Sequence, residues 1–300
     1  MRTLNLRTAV TGIVLLAGVS AASAELLAAP DQGRLLATGG VIQIEGAGGG
    51  GLTPWALITG YGSRDSYGAN VHYTGIRTQD YAIDSTGLAI GMADRFEVTL
   101  ASQTLRGSKE PLAQLAIRQD IVGLKLKLSG DAVVDQDRLA PQIALGVQFK
   151  QNKGVRGLGA LGVTDVTQLG AKKNHGVDFY LSATKLLLDQ SLLLNATLRA
   201  TKANQLGLLG FGGDLNDRYQ PMLETSIAYM INRHLFAGFE YRMKPHNLSI
   251  DKEKNYADIF IAYFPVRNFS VVAGWVSLGD ITVLNPRSQS GWYLSLQGGF

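Results

Sequence analysis

The chain closes on Gly291-Trp292-Tyr293-Leu294-Ser295-Leu296-Gln297-Gly298-Gly299-Phe300. Successive side chains of an extended strand point to opposite sides. Trp292, Leu294, Leu296 and Phe300 therefore share one apolar face, and Tyr293, Ser295 and Gln297 line the other. The same period-two pattern runs back through the sequence. Val177, Phe179, Leu181 and Ala183 interleave with Asp178, Tyr180, Ser182 and Thr184. Leu192, Leu194, Ala196 and Leu198 interleave with Asn195, Thr197 and Arg199. Ile143, Leu145, Val147 and Phe149 oppose Gln142, Gln148 and Lys150, and Leu235, Ala237, Phe239 and Tyr241 oppose Glu240 and Arg242.

Alternation of this kind suits an antiparallel sandwich with a dry core, or a barrel with lipid outside and water inside. Segment length favours the barrel: these stretches run about 9–12 residues, as a tilted strand needs to cross a bilayer, whereas globular strands average about 5–6. Aromatic residues near the segment ends fit the girdles of membrane barrels. They are Trp55, Tyr61, Tyr67, Phe149, Phe179, Tyr229, Tyr263, Phe264, Phe269 and Trp292. The C-terminal strand itself resembles the insertion signal of bacterial outer-membrane proteins, carried here by Trp292, Leu294, Leu296 and Phe300. That resemblance implies the barrel assembly machinery as a partner, meeting an edge left open before the first strand closes on it.

Composition agrees. Glycine is 36 of 300 residues, cysteine is absent, and charged residues make up 17% against a usual share of about 25%. No disulfide scaffold, thiolate metal site or cysteine nucleophile can be built. Beyond position 24 no apolar run approaches the roughly 18 residues of a membrane-spanning helix. At the N-terminus, Arg2 and Arg7 precede an apolar stretch from Ala9 to Val19, and Ala22-Ser23-Ala24 precedes Glu25. That order marks residues 1–24 as a secretory signal peptide cleaved near Ala24. Removing it leaves 26 of the 28 basic residues against 24 acidic ones, so the basic pI reports no nucleic-acid partner.

The expected fold is all-β: an antiparallel transmembrane β-barrel in the outer membrane of a Gram-negative bacterium, spanning residues 25–300 among outer-membrane lipids. Strands are expected near 38–46, 53–62, 67–75, 82–91, 95–104, 119–130, 140–151, 175–186, 191–202, 221–231, 234–244, 255–265, 268–278 and 290–300. Short and long connections alternate between them, as periplasmic turns and external loops do. The count is about fourteen, with Val41–Glu45 in the first strand. Twelve is the alternative, if residues 25–51 thread the lumen as a plug or if the poorly alternating 82–91 is no strand.

The chain resembles a proteobacterial family of exported proteins with no assigned activity. The matching stretches are Gly48-Gly-Gly-Gly-Leu-Thr-Pro-Trp-Ala-Leu57, Gln119-Asp-Ile-Val-Gly-Leu-Lys125, Gly130-Asp-Ala-Val-Val-Asp-Gln-Asp137 and Pro141-Gln-Ile-Ala-Leu-Gly146. The resemblance supports the class and transfers no site residue.

The lumen-facing polar wall is expected to hold Arg95, Glu97, Lys125, Lys127, Asp178, Arg199, Glu224, Glu240, Arg242 and Asp258, with Glu224 opposite Arg242 or Lys244. Charges of both signs cannot face lipid and need water or ionic partners. A passive pore for small polar solutes is the leading expectation. One alternative is a non-conducting barrel whose external loops 152–174 and 203–220 bind a surface partner. Another is a lipid hydrolase using His72, but its strand neighbour Thr74 is a poor nucleophile and no acid partner is assignable. No cofactor or metal is expected. Gly46–Gly51 and Gly157–Gly162 match G-x-G-x-x-G spacing without the strand and helix that the dinucleotide fingerprint requires.

Overall fold

The computed structural model describes residues 34, 36–39, 41–251, 253–282 and 287–300. The expected signal peptide, and most of the stretch that follows it, lie outside the described residues. Twelve strands form one closed antiparallel barrel, each paired with its sequence neighbours. They follow a two-residue pair, β1 (Val41–Ile42) and β2 (Gly48–Gly49), which forms a separate small sheet.

The barrel strands are β3 (Tyr67–Thr78), β4 (Tyr81–Met92), β5 (Phe96–Gly107), β6 (Ala116–Ser129), β7 (Gln142–Arg156) and β8 (His175–Leu187). They continue as β9 (Leu192–Thr201), β10 (Gln220–Asn232), β11 (Leu235–Arg242), β12 (Tyr256–Val266), β13 (Phe269–Gly279) and β14 (Gln289–Gly299). β14 pairs with β3 through Leu296↔Tyr73 and Gln297↔His72, so the terminal strand closes the barrel and leaves no open edge. The Phe300 carbonyl accepts the Ala69 and Tyr61 amides at 3.0 and 3.1 Å, and its ring lies edge-on to Tyr67.

Twelve is thus the lower of the two expected counts, and of the two reasons anticipated for it the lumen plug is the one found among the described residues, with other bounds. Residues 82–91 are a full strand, paired along its whole length with β3 and β5. The segments that leave the wall are 38–46 and 53–62. All residues from Val41 to Gly62 are buried except Gly51, and their backbone bonds to side chains of the barrel's inner face. The lumen segment therefore extends beyond Gly51.

One end of the barrel carries the connections after β4, β6, β8, β10 and β12, together with Phe300; all but the twelve-residue Gly130–Pro141 stretch are tight. The other end carries the long connections after β5, β7, β9, β11 and β13, with Gln79–Asp80 as its one tight turn. These are called below the turn end and the loop end.

Outward positions are apolar through the middle of the wall, as at Leu100, Leu124, Leu145, Leu181, Leu198, Ile227, Phe239, Ile261 and Leu294, all exposed. The aromatic reading is corrected at three places. Trp55, Tyr61 and Phe264 are buried, whereas Phe149, Phe179, Tyr229, Tyr263, Phe269 and Trp292 are exposed on the wall.

Candidate functional site in the barrel lumen

The lumen is a packed interior in three layers. At the loop end Ile76, Ile83, Leu105, Ile117 and Val155 point inward and join Leu206 and Leu208 of the β9–β10 loop in an apolar cluster. The middle layer is polar and ionic. At the turn end Leu193, Ala228, Phe236, Phe260, Ala262 and Phe264 face Leu36, Val41 and Trp55, leaving an apolar cavity of about 350 Å³.

Eight of the ten residues expected on the polar wall are buried there: Glu97, Lys125, Asp178, Arg199, Glu224, Glu240, Arg242 and Asp258. Lys127 sits at the turn-end rim, 2.6 Å from Asp94. Arg95 is the correction: it occupies the β4–β5 turn and is exposed, because β5 begins one residue later. The expected pairing of Glu224 with Arg242 is present at 3.2 Å and in direct register, whereas Lys244 pairs with Glu253 at 3.2 Å.

Glu45, left by the sequence between a first strand and a lumen plug and not among the expected site residues, lies in the lumen and organises the middle layer. Its carboxylate accepts from Arg242 Nη1 at 2.7 Å and from Lys150 Nζ, and lies 3.5 Å from Arg199 Nη2. Lys150 also donates to Asp178 at 2.6 Å, and Arg199 donates to Glu224. The wall supplies three cations to this network, Lys150, Arg199 and Arg242, and two carboxylates, Asp178 and Glu224. The third carboxylate comes from the lumen segment. Every member is almost fully buried, where an unpaired charge costs several kcal/mol. The segment therefore completes a network that the wall leaves one negative charge short.

Other wall groups serve the segment's backbone, whose irregular path satisfies part of its N–H and C=O groups internally and leaves the rest, buried, to be bonded by the wall. Glu97 accepts the Gly48 and Thr59 amides, both at 2.9 Å, and Lys125 donates to the Gly48 and Leu57 carbonyls at 2.8 and 3.0 Å. Glu97 and Lys125 themselves lie 3.0 Å apart. Glu240 accepts the Leu52 amide at 2.6 Å and the Thr53 hydroxyl at 2.7 Å. Gln297 accepts the Ile42 amide, Thr184 accepts the Ala56 amide, and Gln103 donates to the Ile44 carbonyl.

The glycine run Gly46–Gly51 makes this close seating possible. Gly46 has φ +96°, and a Cβ there would lie 2.8 Å from that of Ala101; one on Gly50 would overlap the Glu240 carboxylate. Two signals in the sequence point this way: Val41–Glu45 is too short to span a bilayer, and five glycines in six residues beside Pro54 suit no strand.

The β9–β10 loop also departs from the expectation of an external binding loop. Its first part, Ala203–Phe211, turns into the barrel mouth and is buried. Lys150 donates to the Leu206 carbonyl at 3.2 Å and Asn152 to that of Leu208 at 2.7 Å. Gln205 and Leu206 hold left-handed conformations, φ 44° and 66°, which cost non-glycine residues about 1–3 kcal/mol each and persist only where the surroundings enforce them. Gln205 is held by Asp251, Tyr256 and Lys244 at 2.8, 2.6 and 3.0 Å.

The remaining candidates resolve simply. His72 faces the lumen with Nε2 3.3 Å from Ser85 Oγ, which donates its own proton to the Ile44 carbonyl at 2.7 Å. Thr74 donates to Ser295 rather than to His72. Gly159–Leu161 forms a single 3₁₀ turn in the β7–β8 loop, with no helix to receive a phosphate. Among the described residues no group of three His, Cys, Asp or Glu could hold a metal ion.

A closed twelve-stranded antiparallel barrel with an apolar outer wall defines an outer-membrane β-barrel. The chain belongs to the family described as a protein of unknown function, DUF3034, which it matches over residues 38–297, lumen segment included. No curated protein matches the sequence. Among solved structures it is similar in fold to the NanC porin, at 10% identity over 77% of this chain and 98% of that one, with a TM-score of 0.51. The KdgM porin, solved in complex with disordered oligogalacturonate, aligns over 77% of this chain and 99% of its own, at 11% identity and a TM-score of 0.48.

Proposed function

We propose that this barrel is a channel held shut by its own N-terminal segment, and that small polar solutes pass only when residues 36–62 leave their seat. The observation that carries this reading is Glu45, which supplies the missing charge of a buried wall network. A permanently open pore would need no such partner, since water could solvate Lys150, Arg199 and Arg242 directly. The middle of the wall, once uncovered, is polar and charged, as a route for polar solutes requires.

The test is planar-bilayer conductance of purified, folded protein. Wild type is expected to be silent or to open rarely, and a variant lacking residues 36–62 to give frequent steps. Steady openings from wild type, or silence from the folded deletion variant, would overturn the proposal.

Silence from both would favour the second reading, a non-conducting barrel that binds a partner through its loops. The inward Ala203–Phe211 turn supports that reading, because it adds a second cover at the loop end.

A further inference from the structure

Charge on the outer wall is distributed unevenly. The outward positions of β9 to β14 carry no charged residue, and Trp275 and Trp292 stack edge-to-face there at 5.0 Å. On β3 to β7 the outward face turns from apolar to charged over the last turns of strand before the loop end. There Arg77 and Arg106 converge on Asp84, with Arg77 Nη2 2.7 Å from its carboxylate. Beside them Arg118 and Lys153 converge on Asp120 at 3.3 and 3.4 Å.

Each cluster holds two cations on one carboxylate and keeps a net positive charge. Arg77, Arg106 and Arg118 remain more than half exposed. β6 and β7, at 14 and 15 residues, exceed the roughly 9–11 a crossing needs, so their charged ends stand at headgroup depth rather than in hydrocarbon. A lipid-facing charge costs about 2–4 kcal/mol at the midplane but about 0–1 near the interface. Arginine forks match phosphate oxygens in paired, charge-assisted hydrogen bonds.

We infer that the loop-end outer wall of β3–β7 is a binding site for a phosphorylated lipid headgroup of the surrounding leaflet, held by the Arg77–Arg106 and Arg118–Lys153 clusters. The inference is independent of whether the barrel conducts. It is tested by native mass spectrometry of the detergent-purified full chain, titrated with lipid A and with its dephosphorylated form. Wild type is expected to retain lipid A at least tenfold better than the dephosphorylated lipid. The variant Arg77→Gln/Arg106→Gln/Arg118→Gln/Lys153→Gln should lose that preference, and inorganic phosphate should not compete at millimolar concentration. Should the fourfold variant fail to fold, Arg118→Gln/Lys153→Gln alone should lower retention severalfold. Equal retention of both lipids, undiminished retention by the folded variants, or full displacement by inorganic phosphate would each overturn the inference.

Discussion

Glu45, in the lumen segment, and Arg242, on β11, lie 2.7 Å apart although 197 residues separate them in the chain. The pair ties the segment to the wall, and the wall network is electrically balanced only with it in place. Wall and segment are therefore one electrostatic unit.

Replacing Glu45 by Gln should destabilise the folded barrel by about 3–5 kcal/mol, because Lys150, Arg199 and Arg242 then face only Asp178 and Glu224 in a dry interior. Thermal unfolding in detergent reads the loss directly, and trypsin should cut more readily after Arg64, beyond the segment. An unchanged melting temperature would mean that water already screens this network.

Gly50→Ala probes the seat without removing an ionisable side chain. The new methyl group would collide with the Glu240 carboxylate, which also holds Leu52 and Thr53. The segment should loosen while the wall survives. Amide hydrogen exchange is expected to rise at residues 48–57 and to stay unchanged in β3–β14. Protection equal to wild type would show that the seat has room to spare.

The loop-end cover should weaken at alkaline pH. Burial, reinforced by the neighbouring Glu253 charge, pushes the Asp251 carboxyl up to about 10. In the unfolded chain it titrates near about 3.9. Between those values the folded state holds a proton that the unfolded state has released, so this group's contribution to stability falls as pH rises through the interval. The melting temperature should decline from pH 5 to pH 9, and Asp251→Asn should flatten the slope. A slope of equal size in the variant would assign the dependence to other groups.

Phe300→Ala should reduce assembled barrel severalfold, measured as the heat-modifiable fraction on a gel. The ring meets Tyr67 on β3, and the neighbouring backbone is the last rung of the closing β14–β3 seam. Normal assembly of this variant would show that the Phe300 ring contributes nothing to closure of the β14–β3 seam.

Much of the fold was legible from alternation alone. A strand that meets acyl chains on one side and a polar interior on the other must alternate, so Leu294 and Ser295, or Leu198 and Arg199, reveal their faces without any tertiary information. The inward charges followed by the same logic, apart from Arg95, which fell one residue outside its strand. Segments 38–46 and 53–62 misled because a short polar–apolar alternation reads the same whether it lies in a wall or inside one.

From the order of residues follow the class of fold, the two faces of each wall strand and the acidic and basic residues that must look inward, since those are properties of period two and of charge in lipid. Whether those inward charges meet water or protein is not encoded in any local pattern. It is decided by Glu45 arriving from a distant part of the chain, by glycines that let its backbone press against Glu97 and Glu240, and by a loop that folds back over the mouth. Only closure of the barrel brings these groups together, because an ion pair across 197 residues has no sequence signature beyond an unmatched charge on each side.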